Sequence, residues 1–221
     1  MRPEFIVSYV SMGSILIPLG FAMVHGKAMP VEFRPLYLTL ILSFVCDVLA
    51  YLLARNGINT HWIGNIYLAT QFSLLTLVFR TQFRKRILVD IVLFSFLIFF
   101  ITNISFFQGP LVFNSVSNVV AGLVLIAFCL FYFYRLLNDL PAVHVQQLPM
   151  LWISFAVLTY YGGNFFLFLV KNYLTYGDAG SHKVMWILHN LLNVIKNILF
   201  AIALWQSYRK VKSFTLSSSA P

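Results

Sequence analysis

The sequence predicts an all-α membrane protein, a bundle of seven transmembrane helices with the N-terminus outside and the C-terminus cytoplasmic. Two observations carry most of this. The 221 residues are 60% hydrophobic and 10% charged, against about 25% charged in a soluble domain, so the solvated shell of a soluble fold is missing. Apolar stretches of about the 20 residues a helix needs to cross hydrocarbon recur along the chain, and the basic residues fall almost wholly between them. The membrane domain covers residues 1–208, and residues 209–221 form a short cytoplasmic tail.

The spans are expected at Ile6–Val24, Leu36–Leu53, Trp62–Phe79, Ile87–Ser105, Ser115–Tyr134, Leu151–Val170 and Met185–Tyr208. The first is too long for the apolar core of a signal peptide and has no small-residue cleavage site after it. Pro30 and Pro35 bracket the first loop, and Arg55, Asn56 and Gly57 form the second. Arg80 to Arg86 is a basic third loop, followed by Gln108, Gly109 and Pro110 as a tight fourth. Pro141 marks the fifth and Gly177 to Ser181 the sixth. The fourth span is Phe-rich from Phe94 to Phe100 and is expected to face lipid.

Orientation follows from where the basic residues collect. Lys27, Arg34, Arg80, Arg84, Lys85, Arg86, Arg135, Arg209, Lys210 and Lys212 fall on one side. Arg2, Arg55, Lys171 and Lys183 fall on the other. The richer side is assigned to the cytoplasm. The net charge of +9 is thus a topology signal. Nucleic-acid binding is not expected, because no solvated face concentrates the cations. Cys46 and Cys129 lie inside apolar stretches and read as core thiols, not as a disulfide or zinc site. Asp90 is placed at the cytoplasmic interface near Arg84 and Arg86.

Ionisable groups at membrane depth are costly and mark functional candidates. Asp47 in the second span and Lys196 in the seventh each lie about 16 Å from their outer or inner helix start at 1.5 Å per residue, so they share a depth and can pair. His189, Asn193, Lys196 and Asn197 recur at helical spacing on one face, which should turn inward. Asn65 and Gln71 on the third span, and Tyr160 and Asn164 on the sixth, complete a polar pocket opening outward. Structural alternatives exist for each. A buried ion pair can fix helix register, and interhelical asparagine bonds contribute about 0.6 kcal/mol each. His189 has no second histidine at i+4, and Gly162–Gly163 fits close packing or a kink. Neither a cofactor nor a metal is required by these residues, and no catalytic set stands out.

Three resemblances bear on function. A lysine in mid-seventh helix resembles the retinal-binding lysine of rhodopsins. Microbial rhodopsins place Asp four residues earlier, where this chain has Leu192, and a carboxylate in the third helix, where this chain has none. The segment Arg34-Pro35-Leu36 through Cys46-Asp47-Val48-Leu49 resembles the YhhN-type lysoplasmalogenase family, with its Lys-Pro-Leu opening and Gly-Asp-hydrophobic motif. Arg34 stands for the Lys and Cys46 for the Gly, and the resemblance makes Asp47 a catalytic acid. Asp47, Asn65-Ile66-Tyr67 and the stretch from His189–Asn190 to Trp205 are similar to uncharacterised seven-helix membrane proteins of Bacteroidetes-type bacteria. That resemblance implies a sensory module of the bacterial cytoplasmic membrane, partnered by a histidine kinase.

The expected function is therefore a receptor-like sensor that binds a small or lipophilic ligand between helices and acts on a cytoplasmic partner. The alternatives are a membrane-embedded lipid hydrolase using Asp47 and His189, a transporter, or a retinal-binding protein. The lack of an internal repeat weighs against an inverted-repeat transporter.

Overall fold

The computed structural model describes residues 3–25, 30–139, 145–174 and 179–218. The expectations placed on Arg2, Lys27, Pro141 and Gly177 lie outside the described residues, as do those on the side chains of Lys171, Lys210 and Lys212. Among the described residues there is no strand, and each apolar stretch folds as helix, the structure that satisfies every backbone group without water.

The first stretch is broken into α1 (Pro3–Ser14) and α2 (Leu16–His25). Pro18 explains the break, since it lacks an N–H for the Ser14 carbonyl and its ring collides there. Next come α3 (Arg34–Arg55), α4 (His61–Arg80), α5 (Arg86–Asn103), α6 (Ser115–Asp139), α7 (Pro149–Leu174) and α8 (Ala179–Ser218). Pro35 starts α3, where its missing N–H is harmless. Gly57 ends it at φ +72°, a left-handed cap in which the Ile58 amide reaches the Leu53 carbonyl at 3.0 Å. Six of the described spans are long and apolar enough to cross a bilayer. The remaining rod, α7, is 26 residues long. α8 begins at Ala179, so the sixth loop is shorter than the sequence implies.

The helices close a ring in which α3 packs on α4, α4 on α5 and α6, α6 on α7, and α7 on α8, while α1 and α2 both pack on α8. Buried Phe72, Phe79, Leu75, Leu125, Ile153, Phe200 and Leu204 fill its interior. Lipid is as apolar as these side chains, so close approach and dispersion, not water exclusion, hold the helices. A Cβ on Gly163 would stand 2.6 Å from a Leu192 methyl, and one on Gly122 would stand 3.3 Å from the Tyr161 ring. Gly163 is thus the close-packing position between α7 and α8, whereas Gly162 faces open space. On α5 only one face meets lipid: Phe94 and Ile98 are exposed, but Phe96 and Phe100 are buried.

The ends of the bundle are tied by polar side chains. Arg80 holds Asp90 in a bidentate pair at 2.6 and 2.8 Å. This corrects the expected placement beside Arg84 and Arg86, because the short loop sets the last residue of α4 against the first turns of α5. At the opposite end α5 continues as a π-helical turn, Ile104–Gln108. Buried Asn103 there donates to Gln108, Asn114 and Ser117.

Candidate functional site

α3 and α8 barely touch along their backbones, and the space between them is a cavity of about 640 Å³ walled on a third side by α1. That volume lies within the roughly 300–1,000 Å³ of small-molecule sites. α1 contributes Ser8, Tyr9, Ser11 and Met12, while α3 contributes Asp47, Ala50, Tyr51, Ala54 and Arg55. α8 contributes Trp186, His189, Asn190 and Asn193, and Thr60 closes the end. The lining therefore runs from Asp47 and Asn193 in mid-helix to the end carrying Arg55 and Thr60, opposite the basic loop Arg80–Arg86.

Three of the sequence-predicted residues, Asp47, His189 and Asn193, line this cavity. Among the described residues, no side chain hydrogen-bonds the Asp47 carboxylate and no cation makes a direct ion pair with it. A part-buried carboxylate left this way is expensive unless a ligand, water or distant charge compensates it. Lys196 supplies a distant charge, since the two groups act on one another electrostatically. The Lys196 side chain itself is 3% exposed and lies outside the cavity lining. Its ammonium sits 4.2 Å from the centre of the Tyr160 ring, a cation–π contact that offsets part of its desolvation.

His189 is steered from behind. Its Nδ1 is 2.8 Å from the Oδ1 of fully buried Asn164, whose amide in turn donates to the Tyr160 carbonyl at 2.7 Å. Tyr160 and Trp186 flank the imidazole at 5.8 and 6.1 Å between centroids. Asn164 and Tyr160 are thus supports behind the cavity wall, not part of its lining.

The α8 polar face is held by a serine stripe on α1 that the sequence reading overlooked. Trp186 donates to Ser8 at 2.6 Å, Asn193 to Ser11 at 2.9 Å and Asn197 to Ser14 at 2.8 Å. Ser8, Ser11 and Ser14 recur at three-residue spacing in an apolar helix, a legible signal that one face is polar. Both sets of numbers ascend together, so α1 and α8 run parallel. Asn197 is consequently a buried zipper residue rather than a cavity residue.

Asn65 and Gln71 do not join the site. Asn65 donates to the carbonyls of Pro110 and Val112 at 2.9 and 3.3 Å, latching the loop after α5. Gln71 is buried within α4's packing face, with its amide nitrogen unpartnered. Another α4 residue, Tyr67, approaches the centre instead, pairing with Ser43 at 3.0 Å and lying close enough to feel Asp47 and Tyr160.

Among the described residues no cluster of three His, Cys, Asp or Glu side chains is placed to hold a metal ion. Cys46 and Cys129 are free and buried. No family model, curated protein or solved structure matches this chain. Its class is set by its own architecture, an all-helical chain with helices long and apolar enough to cross a membrane around a largely apolar cavity that carries a few polar side chains.

Proposed function

We propose that the chain is a receptor-like integral membrane sensor of seven crossings, with the cavity end outside and the basic loop in the cytoplasm of a bacterial inner membrane. The ligand is a small amphiphile with a cationic, hydrogen-bond-donating head. Unpartnered Asp47 at the cavity wall carries this reading. Tyr9, Tyr51 and Trp186 add aromatic faces suited to a cation or an alkyl chain. The parallel run of α1 and α8 supports an odd number of crossings, with α7 as the sixth.

α8 also supports the signalling half of the proposal. At 40 residues it is about 60 Å long, twice the roughly 30 Å hydrocarbon thickness, and one unbroken rod joins the cavity to the cytoplasmic side. A ligand head that takes over part of the electrostatic work of Lys196 biases α8 only to the extent that it binds two packings unequally. A histidine kinase or similar cytoplasmic protein would read the displaced rod.

The test uses dodecylammonium as probe, with dodecanol as the uncharged control, titrated into nanodisc-embedded protein while Trp186 fluorescence is followed against a Trp186→Phe control. Saturable binding that falls about 10- to 100-fold in Asp47→Asn is expected, the size of a lost charge-assisted hydrogen bond. Equal binding by the variant, or equal response to dodecanol, defeats the proposal. Lys196→Met should bind the probe yet lose the probe-dependent change in hydrogen exchange at the end of α8.

A second reading rests on Asp47 and His189 facing one cavity, with Asn164 orienting the imidazole. It is a lipid hydrolase, and it requires turnover of lysolipid by purified protein that both Asp47→Asn and His189→Ala abolish.

A further inference from the structure

A second cavity, of about 350 Å³, lies at the other end of the bundle where the α4–α5 loop meets the last turns of α6. Its floor is aromatic. Phe83 stacks on Phe131 with centroids 4.4 Å apart and planes 10° off parallel. Phe131 and Leu88 line it and are also exposed on the flank of the bundle, Leu88 by 53%, so the cavity is continuous with the surface that meets acyl chains.

The rim is cationic and incompletely compensated. Arg135 is committed to this chain: it pairs with Asp139 at 3.0 Å and donates to the Gln82 carbonyl. Arg84 and Lys85, exposed on the same rim, have no acidic partner among the described residues. The nearby Asp90 is taken by Arg80. With three cations and one carboxylate lining it, the cavity carries a net positive charge of two.

We propose that this cavity binds the headgroup of an anionic phospholipid, its phosphate between Arg84 and Lys85 and its first methylenes over Phe131 and Leu88. The position selects a lipid over a soluble anion. The rim sits where α4 ends and α5 begins, at the level of the phosphates of a surrounding bilayer, and the apolar floor opens sideways to the chains rather than into water. Basic residues at the ends of membrane helices recognise anionic lipids in this manner.

Native mass spectrometry of the full chain, released from mild detergent after incubation with phosphatidylglycerol or with phosphatidylcholine of the same chains, tests the site. The wild type should retain phosphatidylglycerol preferentially, with retention falling about fivefold for each cation removed in Arg84→Gln and Lys85→Gln. Arg84→Lys should keep it. Removing a charge at the opposite end and outside either cavity lining, in Lys183→Gln, should leave it unchanged. Equal retention by Arg84→Gln/Lys85→Gln and wild type overturns the proposal. So does equal loss in the opposite-end variant, which would make net charge the cause. Displacement of the lipid by millimolar inorganic phosphate would reassign the site to a free anion.

Discussion

The ammonium of Lys196 faces the ring of Tyr160 at 4.2 Å, while the carboxylate of Asp47 across the cavity is left without a direct cation. Two opposite charges near one another are thus held apart, with no direct ion pair between them. A closed salt bridge would have consumed the carboxylate. The separation leaves it available to a ligand.

The separated pair should show measurable coupling. Thermal unfolding of Asp47→Asn, Lys196→Met and the double variant should return an interaction energy of about 0.5–3 kcal/mol, the range for coupled neighbours. Asp47→Asn alone should be the more destabilising change, because it leaves the fully enclosed Lys196 ammonium with less compensation, whereas Lys196→Met leaves a carboxylate that is only part-buried and faces the cavity. Strict additivity would mean that the two charges do not sense one another.

Gly163 sets how closely α7 approaches α8. Gly163→Ala should destabilise by about 1–3 kcal/mol through overpacking, since its Cβ would press on Leu192. Leu192→Ala in the same chain should recover part of the loss by making room. A Gly163→Ala protein that melts with the wild type would show that the leucine end swings aside freely.

Orientation can be read with cysteine labelling, since both native thiols are buried. Leu111→Cys, on the exposed loop latched by Asn59 and Asn65, should react with an impermeant maleimide on intact spheroplasts. Lys85→Cys should react only after permeabilisation. The reverse pattern would invert the bundle and place the cavity mouth in the cytoplasm.

The rods were legible because the bilayer fixes their length, and a run of apolar residues has few other uses. The break between α1 and α2 at Pro18 was not anticipated, because the stretch around it reads as a single apolar span. An equal depth for Asp47 and Lys196 was an expectation from residue counting alone, and azimuth was not legible at all. Whether two residues at one height meet depends on how each helix is rotated by its neighbours, and Tyr160 took the place beside the lysine. Asn65 misled for a related reason: its partners are carbonyls of an irregular loop, which leave no side-chain signature. The serine stripe of α1 was visible in spacing alone, yet its meaning needed the facing helix.

The continuity of α8 sets a geometric condition on anything beyond the membrane. One residue inserted after Tyr208 would turn every later residue by about 100° without disturbing the cavity, whereas seven would restore the facing to within about 20°. Output that rises and falls with the length of such insertions would reveal a rotating shaft. Output indifferent to phase would make the helix a mere tether.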